Sequence, residues 1–111
     1  MKTITMTLCA SVLMALAVPV QAAGDPRAGR TKTSMCAGCH GIAGWRTAYP
    51  HVYSVPKLGG QHADYIVAAL KAYKNGERSH PSMVGIAGSL SDQDMEDIAA
   101  YYASSYNGPA N

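Results

Sequence analysis

Cys36-Ala37-Gly38-Cys39-His40 constrains this 111-residue chain more than any other stretch. Two thiols separated by two residues can add across the two vinyl groups of one haem. The histidine that follows the second thiol then falls beneath the iron as an axial ligand. C-x-x-C-H is the signature of this covalent attachment. A zinc site would need four ligands, usually with a second paired motif, and the remaining histidines form no close pair. A thioredoxin-like redox pair would need a βαβ context, and a structural disulfide has no use for His40.

The amino terminus reads as an export signal. Lys2 is followed by an apolar run from about Leu8 to Val18, and Pro19-Val20-Gln21-Ala22 places small residues where a signal peptidase inspects them. So short a run falls well below the ~20 residues a spanning helix requires, so no stable membrane insertion is expected after cleavage. Residues 1–22 are therefore expected to be a cleaved signal peptide that takes Cys9 with it. Residues 23–111 are expected to be one small periplasmic domain. A core of that size is marginal by itself, and a buried haem would supply apolar surface. The chain has no phenylalanine, so aromatic packing must come from Trp45 and seven tyrosines.

Charge is unevenly distributed. Residues 23–80 carry eight basic and three acidic groups, whereas residues 81–111 carry four acidic groups and no basic one. The near-neutral total gives no argument for nucleic acid. The asymmetry suggests a dipolar surface that could orient the protein toward a charged partner.

Asp25-Pro26 reads as a helix start, with Asp as N-cap and Pro at the first position, and the helix is expected to run to about Cys36. Gly29 on that helix would let another backbone approach closely. Residues 41–60 are punctuated by glycine and proline and read as a long loop, uncommon in a small domain unless it wraps something. A helix follows over about Gln61 to Asn75, striped by Ile66, Leu70 and Tyr73 and stopped by Gly76. A second loop is expected over roughly 76–90. The last helix starts at the cap Ser91, with Met95, Ile98 and Tyr102 as its stripe. No convincing strand appears. The fold class is all-α, with about three main helices and two long loops.

The iron needs a sixth ligand or an open face. Met83, Met95, Met35, His51, His62 and His80 are the candidates. Met35 is too close to the thioether anchors, and Met95 sits on an apolar stripe where methionine commonly fills core. Met83 has no packing duty evident from the sequence, and His/Met ligation is common in c-type cytochromes. His80, three residues earlier, remains its rival.

Taken together, these segments resemble the class I cytochrome c family, and in particular one half of the dihaem periplasmic cytochromes c. The resemblance rests on Cys36 to Gly41, on Pro56-Lys57-Leu58-Gly59-Gly60-Gln61 leading into the Tyr65–Tyr73 helix, and on Lys74-Asn75-Gly76-Glu77-Arg78. Met83, Leu90-Ser91-Asp92 and Ile98-Ala99-Ala100-Tyr101-Tyr102 complete it. It implies the class I cytochrome c fold around one haem c. Cys36 and Cys39 would be the thioether positions, with His40 and Met83 as axial ligands. It also implies a crossing of the first and last helices at Gly29 and Tyr102, with Tyr101 as a substitute. A loop proline carbonyl, from Pro50 or Pro56, would accept the His40 N–H. Trp45, Arg46 and Tyr49 are further candidates for contact with the haem pocket. The implied function is a monomeric, non-enzymatic electron carrier. Its redox protein partners would be a dehydrogenase or cytochrome as donor and a terminal oxidase or reductase as acceptor. A dedicated haem subunit of a periplasmic dehydrogenase or oxidase complex is the alternative.

Overall fold

The computed structural model describes residues 23–48 and 52–105. The expected signal peptide, Tyr49, Pro50 and His51 lie outside them. Five helices follow one another along the chain: α1 (Pro26–Lys32), α2 (Ser34–His40), α3 (Ala63–Lys74), α4 (Pro81–Gly88) and α5 (Asp92–Ser104). A short ribbon, β1 (Arg46–Thr47) paired antiparallel with β2 (Tyr53–Ser54), lies between α2 and α3.

The three principal helices begin close to where the sequence puts them, and their termini show why. Asp25 Oδ1 accepts the Arg27 N–H at 2.9 Å, with Pro26 at the first helical position. Ser91 and Asp94 form a reciprocal capping box at the start of α5. Gly76, at φ 80°, takes the left-handed conformation that ends α3 without a Cβ penalty.

Two differences bear on the site. The first helix does not run unbroken to Cys36: Thr33, at φ −90° and ψ 4°, separates α1 from α2. Its hydroxyl donates to the Arg30 carbonyl, and such side-chain bonds compete with the helical ladder. The Thr33 carbonyl then accepts from both Cys36 and Ala37 at the start of α2. The second correction concerns residues 76–90. They are not an irregular loop, because α4 occupies 81–88 with Met83 inside it. Pro81 occupies the first helical position, where the missing N–H costs nothing. Packing of the fully buried Ala87 offsets the poor helix propensity of Gly85 and Gly88. The first long segment also carries the two-residue strands that the sequence did not reveal.

The core is formed by Ile66, Val67 and Leu70 of α3, Ala87 of α4, Leu90, and Met95, Ile98 and Ala99 of α5. Met95 is completely buried, as expected of a core-filling methionine. Across α5 lies α1. A Cβ on Gly29 would collide with the Asp97 carbonyl and crowd the Tyr101 side chain. The small residue therefore meets Tyr101, not Tyr102. One helical step turns the direction by ~100°, so only one of two adjacent tyrosines can face α1.

Asp97 locks this crossing. It is 4 % exposed and accepts from the Asp25 N–H at 2.8 Å, Lys32 Nζ at 2.6 Å and Gln93 Nε2 at 2.8 Å. Lys32 also reaches Asp94 at 2.8 Å. Two of the four carboxylates of the acidic end thus turn inward to a lysine, so the surface is less dipolar than the sequence suggests. The Lys32 ammonium, the Asp25 N–H and Gln93 hold the Asp97 carboxyl below its ordinary value of 3.8, against the effect of burial. A depressed carboxyl pKa contributes stability that is present above that ordinary value and is lost as pH falls below it. The Lys32 pKa, raised above 10.5 chiefly by Asp94 and Asp97, contributes below that value and is lost only at higher pH.

Three substitutions test this packing. Asp97→Ala lowers stability by about 2 kcal/mol, through the partners it strands, and flattens the acid limb of a stability–pH curve measured by urea unfolding. Gly29→Ala costs on the order of 1–3 kcal/mol by overpacking. Gly85→Ala, with nothing within 4 Å of an added Cβ, gains about 0.5–1 kcal/mol in helix propensity.

Candidate functional site

Helix α2 brings the motif to the inner side of the fold. Positions three and four apart share a helix face, and Met35, Cys36, Cys39 and His40 all line one cavity of about 640 Å³. Ile66, Leu70 and Tyr73 of α3 form another wall, Met83 and Ile86 of α4 a third, and Ile98 of α5 contributes from the core. Segment 53–58, from Tyr53 to Leu58, closes the remaining side. A cavity of this size, mostly apolar with a few polar groups, is the usual form of a cofactor site.

Within it the motif side chains are individually oriented. His40 Nδ1 lies 2.7 Å from the Pro56 carbonyl oxygen. The carbonyl can only accept, so Nδ1 carries the proton and Nε2 is left as the nitrogen available to a metal. Pro56 thus occupies the position for which Pro50 was the alternative. Cys36 and Cys39 form no disulfide with each other and are half-buried. Burial pushes the Cys36 thiol up, partly opposed by a hydrogen bond with Tyr102. Burial is also the main reason the Tyr102 phenol is raised well above its ordinary value of 10.0, with the Cys36 charge acting the same way. Tyr102 packs against the core, and its carbonyl accepts the Gly60 N–H at 2.9 Å, fastening the end of the long loop to α5.

Met83 packs against the core from α4 while facing the cavity. Met95, by contrast, does not line the cavity, and neither does His62. His80, the residue before α4, does line it. Its ring meets Tyr53 edge to face at 5.4 Å between centroids. Trp45, just before the ribbon, and Arg46 in it do not line the cavity, and Trp45 is 42 % exposed. Thr47 and Tyr53 of the same ribbon do. Arg78, whose guanidinium stands 4.7 Å over the Tyr73 ring, is another lining residue that sequence reasoning did not single out. The sequence signals for it are its place just after the Gly76 turn and in the Lys74–Arg78 motif, neither of which gave it a role at the cavity.

Among the described residues, no three His, Cys, Asp or Glu side chains gather to hold a metal ion by themselves. No described helix is long and apolar enough to cross a membrane. The donors lining the cavity are the thiols of Cys36 and Cys39, the oriented imidazole of His40, the His80 ring and the thioethers of Met35 and Met83, with no carboxylate among the lining residues. That chemistry fits a c-type haem: thiols for its vinyl groups and one nitrogen and one sulfur ligand for its iron.

Comparison with known proteins gives the family. The family profile described as cytochrome c matches residues 27–105. Cytochrome c4 of Pseudomonas aeruginosa is 40% identical over 99 residues, covering 87% of this chain and 47% of that protein. Cytochrome c-554(548) of Halomonas halodenitrificans is 44% identical over 85 residues, covering 74% of this chain and 98% of that one. The crystal structure of reduced cytochrome c4 from Pseudomonas stutzeri superposes with a TM-score of 0.55 at 27% identity, over 76% of this chain and 51% of the other. The chain thus spans about half the length of the cytochromes c4 it matches.

Because burial raises the Tyr102 phenol, its phenolate is expected to form above the ordinary tyrosine range. Ultraviolet difference titration of wild type against Tyr102→Phe checks this: the two curves should coincide through that range and part only above it.

Proposed function

The chain belongs to the cytochrome c family, and on that premise we propose that it carries single electrons in the periplasm through one covalently attached haem c. The observation that supports this reading most directly is the convergence of Cys36, Cys39, His40 and Met83 on one cavity. Cys36 and Cys39 would hold the haem as thioethers, and His40 Nε2 and Met83 Sδ would be the axial ligands. The bound group supplies a reversible one-electron iron couple.

The protein's own contribution is positional. Pro56 fixes the plane and tautomer of His40, which also makes the imidazole a better donor. The packing of α4 holds Met83 against the core, so its thioether is presented with little freedom to move. A thioether favours reduced iron, so this ligand raises the potential relative to a second histidine. Apolar walls from α3, α4 and α5 keep water from the centre. With both axial positions filled by side chains, no place remains for a substrate, which is why the reading is a carrier and not an enzyme. Partners would be redox proteins, a dehydrogenase or cytochrome giving the electron and an oxidase or reductase taking it. Their docking is expected to be small and transient. Residues 1–22 would direct export.

The oxidised absorption spectrum tests the ligand set. A weak far-red band from the sulfur–iron bond is expected in wild type and should vanish in Met83→Ala. That variant should also shift the oxidised-to-reduced ratio more than tenfold toward the oxidised form at a fixed poise, about 59 mV or more for one electron. A band that survives Met83→Ala overturns Met83 as ligand. Cys36→Ala with Cys39→Ala should abolish haem staining after denaturing electrophoresis.

A further inference from the structure

The site leaves Trp45 and Arg46 without a role, since neither lines the haem cavity. They lie in the long segment after the motif, which reaches the cavity through Thr47, Tyr53, Ser54 and Val55. Three of its large apolar side chains face solvent: Ile42 is 48 % exposed, Trp45 42 % and Val52 69 %. None of the three lines the haem cavity, so the cofactor does not account for them. Arg46 and Lys57 of the same segment are exposed, and residues 41–63 contain no Asp or Glu.

These residues are joined in space. The Trp45 N–H donates to the Ile42 carbonyl at 3.3 Å, and the Val55 N–H donates to the Trp45 carbonyl at 2.9 Å. Ile42, Val55, Pro56 and Lys57 line a small cleft of about 190 Å³, and His40 is part of its wall. His40 also lines the haem cavity, so cleft and cavity share the imidazole that Pro56 orients. The make-up of this face selects among occupants. Tryptophan and arginine are among the side chains that most often carry binding energy between proteins. A lipid surface is held by clusters of roughly four to eight basic residues, and Arg46 and Lys57 are the two that residues 41–63 supply. A two-fold dimer would set the face against itself, cation against cation, with no carboxylate of the segment to answer them. A protein partner with carboxylates around an apolar centre is complementary on both counts.

We propose that the outer side of residues 42–57 is the docking surface for an acidic redox protein, with Trp45 as its anchor and electrons passing on the His40 side of the haem. This rests on the haem-carrier reading above and names the partner's chemistry. One electron moves between the iron and the partner's redox centre, one being oxidised as the other is reduced, with no bond made or broken. Arg46 and Lys57 steer the encounter, and Trp45 supplies the apolar contact that holds it.

The experiment uses the haem-loaded protein with a small acidic blue-copper protein as probe and a basic one as control. With both proteins reduced, amide shifts in ¹⁵N spectra on adding the acidic probe are expected to gather within residues 41–57. Trp45→Ala should raise the dissociation constant for that probe about tenfold or more. Arg46→Glu should slow stopped-flow association with the oxidised probe roughly tenfold at low salt and flatten its salt dependence. Both variants should keep the wild-type far-red band and urea midpoint, which separates docking from folding. If Trp45→Ala lowers the midpoint, Arg46→Glu, a change to an exposed side chain, decides alone. Shifts gathered elsewhere, no preference for the acidic probe, or binding unchanged in both variants overturns the proposal. Trp45-dependent co-sedimentation with phosphatidylglycerol vesicles overturns it in favour of a membrane. A Trp45-dependent dimer in sedimentation equilibrium overturns it in favour of a second copy. A preparation without covalent haem overturns the carrier reading and this proposal together, whereas the other failures leave the carrier reading standing.

Discussion

The crossing of α1 on α5 is the contact on which the site depends. Gly29 allows the two backbones to meet, and Asp97 gathers the Asp25 N–H, the Lys32 ammonium and Gln93 around one buried carboxylate. This fixes the direction of α1, and through Thr33 the start of α2. Helix α2 carries both thiols and His40, so a shift at Gly29 or Asp97 would be felt a few residues later at the motif. Burying a carboxylate is costly unless it is fully bonded, and here two partners come from the α1 segment and the third from one turn back on α5. The acidic carboxyl-terminal third therefore serves packing as well as surface charge.

From that anchor the cavity is assembled by pieces that contact it from different directions. The motif arrives on α2, the apolar walls on α3 and α5, and Met83 on α4. The long segment after the motif returns to give His40 its Pro56 carbonyl and is tied down through Gly60 to Tyr102. Tyr102 in turn lies by Cys36, so the terminal helix touches both the loop and the motif. This closed circuit is what makes the proposed ligand pair stiff, and stiffness suits a centre that exchanges electrons with little rearrangement.

Much of the fold was legible because local signals and tertiary packing agreed. Asp25-Pro26 and Ser91 start helices by satisfying free amides, a requirement that acts within a few residues. The stripe of Ile66, Leu70 and Tyr73 and that of Met95, Ile98 and Tyr102 follow helical spacing and pack inward. Helix α4 is not legible in the sequence because proline and glycine ordinarily mark breaks. Proline at a first helical position breaks nothing, and the burial that favours Ala87 comes from other helices. Tyr101 and Tyr102 could not be separated in sequence, since adjacent aromatic residues differ only in direction.

The sequence by itself determined the chemistry: two thiols and a histidine at a spacing with one common purpose, a methionine available downstream, and amphipathic helices to enclose them. Those are properties of residue type and local spacing, and they need no distant contact. Tertiary structure alone decided which proline meets His40, which tyrosine meets Gly29, that Met83 rides on a helix, and that Arg78 and His80 line the cavity where Trp45 and Arg46 do not. Each of those choices is made between near-equivalent residues by packing across many positions of sequence, and no local propensity distinguishes them.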